Sequence, residues 1–306
     1  MYDLRPYQSE AISAVHQYIC TEEGNPCVSL PTGSGKSVVM AAQIDMWRRE
    51  TPSLRGCILA HRKELVQQNH DKLQSYGLGG DSGIFAAGLR KRDFDSPILF
   101  ASIDSIYRRA GEFAPFDFIF VDEAHRIPFA GEGKYRTFLN GCRQFNPRLR
   151  VIGWTATPWR MAGGSLCHKD HILNHICYEA NVSTLIEQDF LCKLRSKVGE
   201  THADLSLVRR ISGGDYISSS LAEATNRDDL VASAVSEAVR IITSENRKSV
   251  VFFCVDVEHC QKVSRELGRL GIYAPFITGK TKQFDRDRIV EDFKAKKINA
   301  ICNVNV

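Results

Sequence analysis

Pro26–Ser37 reads PCVSLPTGSGKS: a short apolar, β-prone run, a turn containing two glycines, and Lys36-Ser37 opening a helical pattern. Gly33 and Gly35 allow backbone N–H groups to approach and surround phosphate oxygens, because a residue without Cβ reaches the required backbone angles at little cost. In such a loop Lys36 reaches the β- and γ-phosphates of a nucleotide, and Ser37 binds Mg²⁺ at the start of the following helix. Pro31, Thr32 and Ser34 complete the turn. The strict pattern has Gly or Ala five positions before Gly35, where Leu30 stands here. A plain glycine turn with a solvated lysine is the competing reading. The strand before and the helix after favour the phosphate loop.

The second informative segment is Asp122–His125, DEAH, directly behind the apolar run FDFIFV (Phe116–Val121). A buried strand there delivers Asp122 and Glu123 to a sheet edge. Asp122 is then expected to hold Mg²⁺, usually through water, and Glu123 to accept a proton from an attacking water. The alternative is a strand end with solvated acids. A zinc role for His125 lacks the HExxH spacing it would need.

From residue 26 onward β-rich runs alternate with helix-compatible stretches. Strands are expected at Pro26–Leu30, Gly56–Ala60, Ile98–Ser102, Phe116–Val121 and Arg150–Trp154, and helices at Ser37–Glu50 and Lys63–Tyr76. That alternation predicts an α/β fold with a parallel sheet flanked by helices, whose ligands bind beyond the carboxyl ends of the strands. Both motifs fall at such ends. The pattern loosens over residues 160–225, which carry Gly163-Gly164, Gly213-Gly214 and Ser218–Ser220. It resumes with Ser249–Val255 as a buried strand, Val257–Leu270 as a helix, Tyr273–Thr278 as a strand, Lys282–Lys296 as a helix and Asn299–Val306 as a last strand. The sequence stops inside that strand, so a fragment of something longer is expected.

At 306 residues the chain suits about two domains. With 43% hydrophobic and 25% charged residues it reads as a soluble globular protein. The net charge of +4 permits a nucleic-acid partner without demanding one. Ten scattered cysteines without a CxxC pair argue against a disulfide framework and for a reducing cytoplasm. No apolar stretch is long enough for a bilayer, so no membrane partner is expected.

The ordered set LRPYQ (Leu4–Gln8), PTGSGKS, AHRKEL (Ala60–Leu65), DEAH and TATP (Thr155–Pro158) resembles the motif order of superfamily 2 helicases over nearly the whole chain. The same order is shared by type III restriction motors. Within the superfamily, IFAAGLRKR (Ile84–Arg92), TATPWR and ITGKT look most like the bacterial RadD-type DNA-repair ATPases. The resemblance implies two tandem RecA-like P-loop domains: residues 1–180, a transition over 181–225, and a partial second domain over 226–306. It implies an ATP- and Mg²⁺-dependent helicase or translocase on nucleic acid, DNA in repair or recombination. The protein is expected to act as a monomer in the cytoplasm, with repair-protein partners left open. Gln8, aided by Arg5, would read adenine. His61, Arg62, Ser102, Asp104 and Thr278 would lie along nucleic acid. His125, Thr155 and Thr157 would couple hydrolysis to domain movement. The family's later arginine motif does not occur in this sequence, so slow turnover is expected of the chain; such an arginine is worth roughly 10³–10⁵ in rate. Two alternatives stay open: the motor subunit of a restriction or phage-defence system, and an ATP-gated binding module without turnover.

Weaker signals complete the reading. Cys167, His168, His171, His175 and Cys177 form a cluster whose histidines could share a helical face. Its spacing matches no familiar zinc pattern, so a polar helix face with inward cysteines is expected. Basic clusters recur at Arg48-Arg49, Arg62-Lys63, Arg90–Arg92, Arg108-Arg109 and Arg209-Arg210, and only a shared orientation would make them a phosphate-tracking groove. Trp154 and Trp159 flank TATP; one could stack on a base, although core packing is favoured.

Overall fold

A computed structural model describes residues 3–77, 79–129, 131–160, 164–210 and 216–304. Gly163, Gly213, Gly214, Asn305 and Val306 lie outside the described residues, and the readings that rest on them go no further. The chain divides into two compact units, Met1–Leu194 and Arg195–Val306.

The first unit is built on an eight-stranded sheet. Its strands are β1 (Pro26–Ser29), β2 (Gly56–Ala60), β3 (Ser82–Ala86), β4 (Lys91–Arg92), β5 (Ile98–Ser102), β6 (Phe118–Asp122), β7 (Arg150–Thr155) and, after a small hairpin of β8 (Trp159–Arg160) and β9 (Gly164–Ser165), β10 (His175–Glu179). The order is β10-β1-β7-β6-β2-β5-β3-β4, parallel except for the last pair. Helices α1 (Pro6–Thr21), α2 (Lys36–Glu50), α3 (Lys63–Gln74), α4 (Ile103–Ile106), α5 (Lys134–Phe145) and α6 (Val182–Glu187) connect and cover it.

Alternation along each strand divides the core. Ile58, Phe100, Phe120, Ile152 and Trp154 pack with α1, α2 and α3, whereas Cys57, Leu59, Leu99, Ile119 and Val121 pack with α4 and α5. Burying both faces explains why the central strands read as nearly continuous apolar runs. The five expected strands are all present, within two residues of their expected bounds. The sequence reading did not include β3, β10, α1 or α5. β10 is only half-buried at the sheet edge, and HICYE carries no apolar run to mark it.

The second unit holds α7 (Ser218–Thr225), α8 (Asp228–Ser244), β11 (Val250–Phe253), α9 (Val257–Arg269), β12 (Phe276–Ile277), α10 (Gln283–Lys294) and β13 (Ala300–Asn303). Its three strands are parallel in the order β11-β13-β12. The expectation of a buried Ser249–Val255 strand is corrected: the strand runs Val250–Phe253 and is half-exposed. Val250 and Phe252 pack on the cluster formed with α8 and α9, but Val251 and Phe253 point the other way and are exposed. A strand turns successive side chains to opposite faces, and only one face of this sheet is lined by that cluster.

The helical face proposed for His168, His171 and His175 is also corrected. His168 and His171 lie in turns and His175 starts β10, paired in register with Pro26. Hydrogen bonds account for the change: His171 Nδ1 meets the Leu166 carbonyl at 3.1 Å, and Asn25 N donates to Asn174 Oδ1 at 2.8 Å. Among the described residues no group of three His, Cys, Asp or Glu side chains is arranged to hold a metal.

Candidate nucleotide site

The site begins where β1 ends. Gly33 and Gly35 adopt φ of +85° and +83°, angles that an L side chain reaches only with strain. Gly35 has a second constraint, since a Cβ there would sit 2.7 Å from Gln8 Nε2. The loop is closed internally by Ser34, whose N and Oγ both donate to the Pro31 carbonyl, at 3.1 and 2.6 Å. From outside it is braced by α1. Tyr7 OH and Gln8 Nε2 both donate to the Ser34 carbonyl, at 2.6 and 2.9 Å. Pro6 sits at the first turn of α1, and Gln8 Oε1 reaches back to accept from Arg5 N at 3.0 Å. The helix cap and the loop brace are therefore one side chain.

Sheet order brings the two motifs together. β7 lies between β1 and β6, with Ser29 opposite Thr155 and Asp122 opposite Trp154. Leu30 N donates to the Thr155 carbonyl at 2.8 Å, so the Pro31–Ser37 loop springs directly from the end of β7's ladder. Asp122 is almost fully buried, with Oδ2 accepting from Asn69 Nδ2 at 2.9 Å and Oδ1 from Glu123 N at 3.0 Å. Glu123 has φ 53° and ψ 51°, a left-handed conformation at the entrance to a single 3₁₀ turn. Such backbone is uncommon for glutamate and tends to occur where surrounding structure imposes it. Its carboxylate lies 3.0 Å from Lys36 Nζ and 3.3 Å from His125 Nδ1. Lys36 Nζ is also 3.7 Å from Asp122 Oδ1.

A small polar network continues behind Glu123. His125 Nδ1 lies 3.0 Å from Thr155 Oγ1 and 3.4 Å from Thr157 Oγ1, and Thr157 N donates to Thr155 Oγ1 at 3.0 Å. Thr155 is fully buried. Lys36, Asp122, Glu123, His125, Thr155 and Thr157 thus form one constellation, with Arg5 and Gln8 attached through Ser34.

The residues expected along nucleic acid are more dispersed. His61 and Arg62 follow β2. Burial pushes the His61 imidazole below its ordinary range, and the charges of Arg126 and Arg62 add to the shift. Ser102 ends β5 with Oγ 2.8 Å from Ser105 Oγ, and Asp104 accepts from Lys134 Nζ at 2.7 Å. Thr278 belongs to the second unit, where its N donates to Thr281 Oγ1 at 2.9 Å. Trp154 is core, packed against Phe120 at 5.3 Å, while Trp159 is 62% exposed. Sequence reading missed Tyr7 and Asn69. Tyr7 is adjacent to Gln8 and could have been weighed, but Asn69 meets a partner 53 residues away and carries no local signal.

Residues 1–160 match the family described as "Type III restriction enzyme, res subunit", and residues 233–306 match the "Helicase conserved C-terminal domain". In Saccharomyces cerevisiae the protein named "Putative ATP-dependent helicase IRC3" is 25% identical over 316 residues, covering 99% of this chain and 44% of its own length. In Schizosaccharomyces pombe the protein named "Putative mitochondrial ATP-dependent helicase irc3" is 29% identical over 317 residues, covering 99% and 49%. The chain spans about half the length of these relatives. The solved structure described as "ATP-dependent Type ISP restriction-modification enzyme LlaBIII bound to DNA" superposes with a TM-score of 0.63 at 13% identity, covering 100% of this chain and 24% of that one. That likeness concerns the fold, an α/β architecture of tandem RecA-like units. No described helix is long and apolar enough to cross a membrane.

Proposed function

The chain belongs to the type III restriction enzyme Res-subunit family, among superfamily 2 helicases, and on that footing we propose that it is the motor of an ATP-dependent helicase or translocase on DNA. The observation that carries the reading is the meeting of Lys36, Asp122, Glu123, His125 and Thr155 at the ends of β1, β7 and β6.

Pro31–Ser37 cradle the phosphates through backbone N–H groups, and Lys36 moves onto them. Because Lys36 is ion-paired with Glu123 at 3.0 Å, an entering polyphosphate competes with that carboxylate for the ammonium. The competition releases Glu123 to accept a proton from the attacking water. Ser37 and Asp122 would hold Mg²⁺. One buried carboxylate and one hydroxyl suit a hard cation that keeps water and phosphate oxygens as its other ligands. When bound, that ion neutralises charge on the phosphoryl oxygens.

Base reading falls to Gln8 and Arg5. A carboxamide has two donor hydrogens and two acceptor lone pairs. Gln8 uses one of each on Ser34 and Arg5, which leaves one of each to complement adenine N7 and N6. His125, Thr155 and Thr157 connect Glu123 to the loop after β7, a route by which hydrolysis alters the path into the second unit. In this reading residues 1–180 and 226–306 are the two RecA-like domains, joined by 181–225, and His61, Arg62, Ser102, Asp104 and Thr278 lie along the strand. The biological setting we favour is DNA repair or recombination. A restriction or phage-defence motor is the second reading, favoured by the family that residues 1–160 match.

The test is ATP hydrolysis by the full-length protein with and without single- and double-stranded DNA and RNA. Stimulation by DNA supports the proposal, stimulation by RNA alone corrects the substrate, and folded protein indifferent to every nucleic acid sinks it.

A further inference from the structure

Helix α6 ends in a structured turn beside the nucleotide site. Asp189 takes φ 58°, its N donates to the Ile186 carbonyl at 3.1 Å, and Phe190 N donates to the Leu185 carbonyl at 2.9 Å. These paired bonds around a left-handed residue are the Schellman termination, in which the residue after the left-handed position packs back on the last turn. Here that residue is Phe190, and Leu185 beneath it is buried in the core. Phe190 therefore stands in a position set by backbone hydrogen bonds.

Three contacts tie Phe190 to the base-reading end of α1. The Arg5 guanidinium lies over the Phe190 ring, 5.2 Å from its centroid. Arg5 Nη1 donates to the Phe190 carbonyl at 3.2 Å. The Tyr7 ring, whose hydroxyl braces Ser34, packs against Phe190 at 5.3 Å. The neighbouring Leu191 reaches the loop itself, at 3.4 Å from where a Cβ on Gly33 would be. Arg5 is nonetheless exposed to solvent. A long flexible side chain is thus held by an aromatic ring beside its guanidinium and a carbonyl at its end, with accessible surface remaining.

We infer that Phe190 is a positioning residue for base recognition: it holds the Arg5 guanidinium as a shelf on which the adenine ring of the nucleotide stacks. A planar cation stacks on aromatic faces, and fixing its plane beforehand removes the ordering cost that a free arginine would incur on binding. Gln8 then reads the edge of the ring that the shelf carries. The inference rests on the assignment of Arg5 and Gln8 to the adenine. It adds that base selectivity depends on a residue 185 positions away, in the segment that leads out of the first unit.

The experiment is calorimetric titration of the chain with ATP, UTP and inorganic tripolyphosphate, each with Mg²⁺, in the parent and in Phe190→Ala, Phe190→Leu and Phe190→Trp. Loss of a single base stack corresponds to about ten-fold in affinity. Phe190→Ala and Phe190→Leu are expected to weaken ATP about ten-fold and to leave tripolyphosphate unchanged, so that preference for ATP over UTP collapses. Leu keeps the packing on Leu185 but has no aromatic face, which separates the shelf from mere support of the turn. Phe190→Trp is expected to restore ATP affinity and selectivity. The inference is overturned if the Leu variant binds ATP like the parent, if ATP and tripolyphosphate weaken together, or if Trp fails to restore. A parent that binds ATP and tripolyphosphate equally would instead remove the adenine assignment itself, and Lys36→Ala, which should weaken both ligands, checks that the phosphate loop is being titrated.

Discussion

Lys36 Nζ and Glu123 Oε1 lie 3.0 Å apart, although 87 positions separate the two residues. The ammonium that would grip a phosphate is held by the carboxylate that would activate water. On the proposed roles of the two residues, one ion pair would couple substrate binding to release of the base.

Changing either partner should remove turnover, but only one change should remove binding. Glu123→Gln keeps the shape and loses the base, so nucleotide binding should persist while hydrolysis falls about 10²–10⁴-fold, the usual contribution of a general base. Lys36→Ala should weaken nucleotide binding and abolish turnover. Normal hydrolysis by Glu123→Gln would reassign the base. Parallel titration and single-turnover measurements separate the two effects.

Asn69 should prove as important to Asp122 as any motif residue. Its amide supplies a hydrogen bond to the buried Oδ2, and Asn69→Ala leaves that acceptor unmet, at a cost of about 1–3 kcal/mol. Asn69→Asp adds a second carboxylate beside the first and should be worse, in both denaturant midpoint and nucleotide affinity. Equal stability of all three proteins would remove Asn69 from the site.

Asp189 gives a test that involves stability alone. Glycine reaches its φ of 58° freely, so Asp189→Gly should stabilise the chain by up to about 1 kcal/mol, whereas Asp189→Val should cost about 1–2 kcal/mol. Chemical denaturation reads both changes. If valine is tolerated without loss, the Schellman turn does not hold Phe190 in place.

Acid sensitivity should appear well above the carboxylate range. Burial is the largest cause lowering His70 and His259 below their ordinary value of 6.5. The unfolded chain then binds more protons than the folded one, so stability is full above about pH 6.5 and is lost as pH falls from there toward the lowered values. The denaturation midpoint should drop between pH 7.5 and 5.5, and His70→Gln should flatten the slope. A pH-independent midpoint across that window would contradict the assignment.

The fold class and the two segments that meet in the candidate site were legible because their signals are local. Gly33 and Gly35 sit at positive φ, an angle few other residues take, and FDFIFV declares a strand buried on both faces with Asp122 at its end. The edge strand β10 was missed and the half-exposed β11 misjudged for the converse reason. Burial on one face or none depends on what lies across the sheet, which the run of residues does not state.

The sequence alone therefore determined a glycine turn after one strand, an acid pair after another, and an α/β frame that sends both to one edge. Tertiary structure decided what those pieces touch. Placing β7 between β1 and β6 brings Thr155 between the loop and the acids, and packing carries Asn69 to Asp122 and Phe190 to Arg5. Strand order and cross-chain pairing follow from the packing of whole faces, a cooperative property that no short pattern of residues contains.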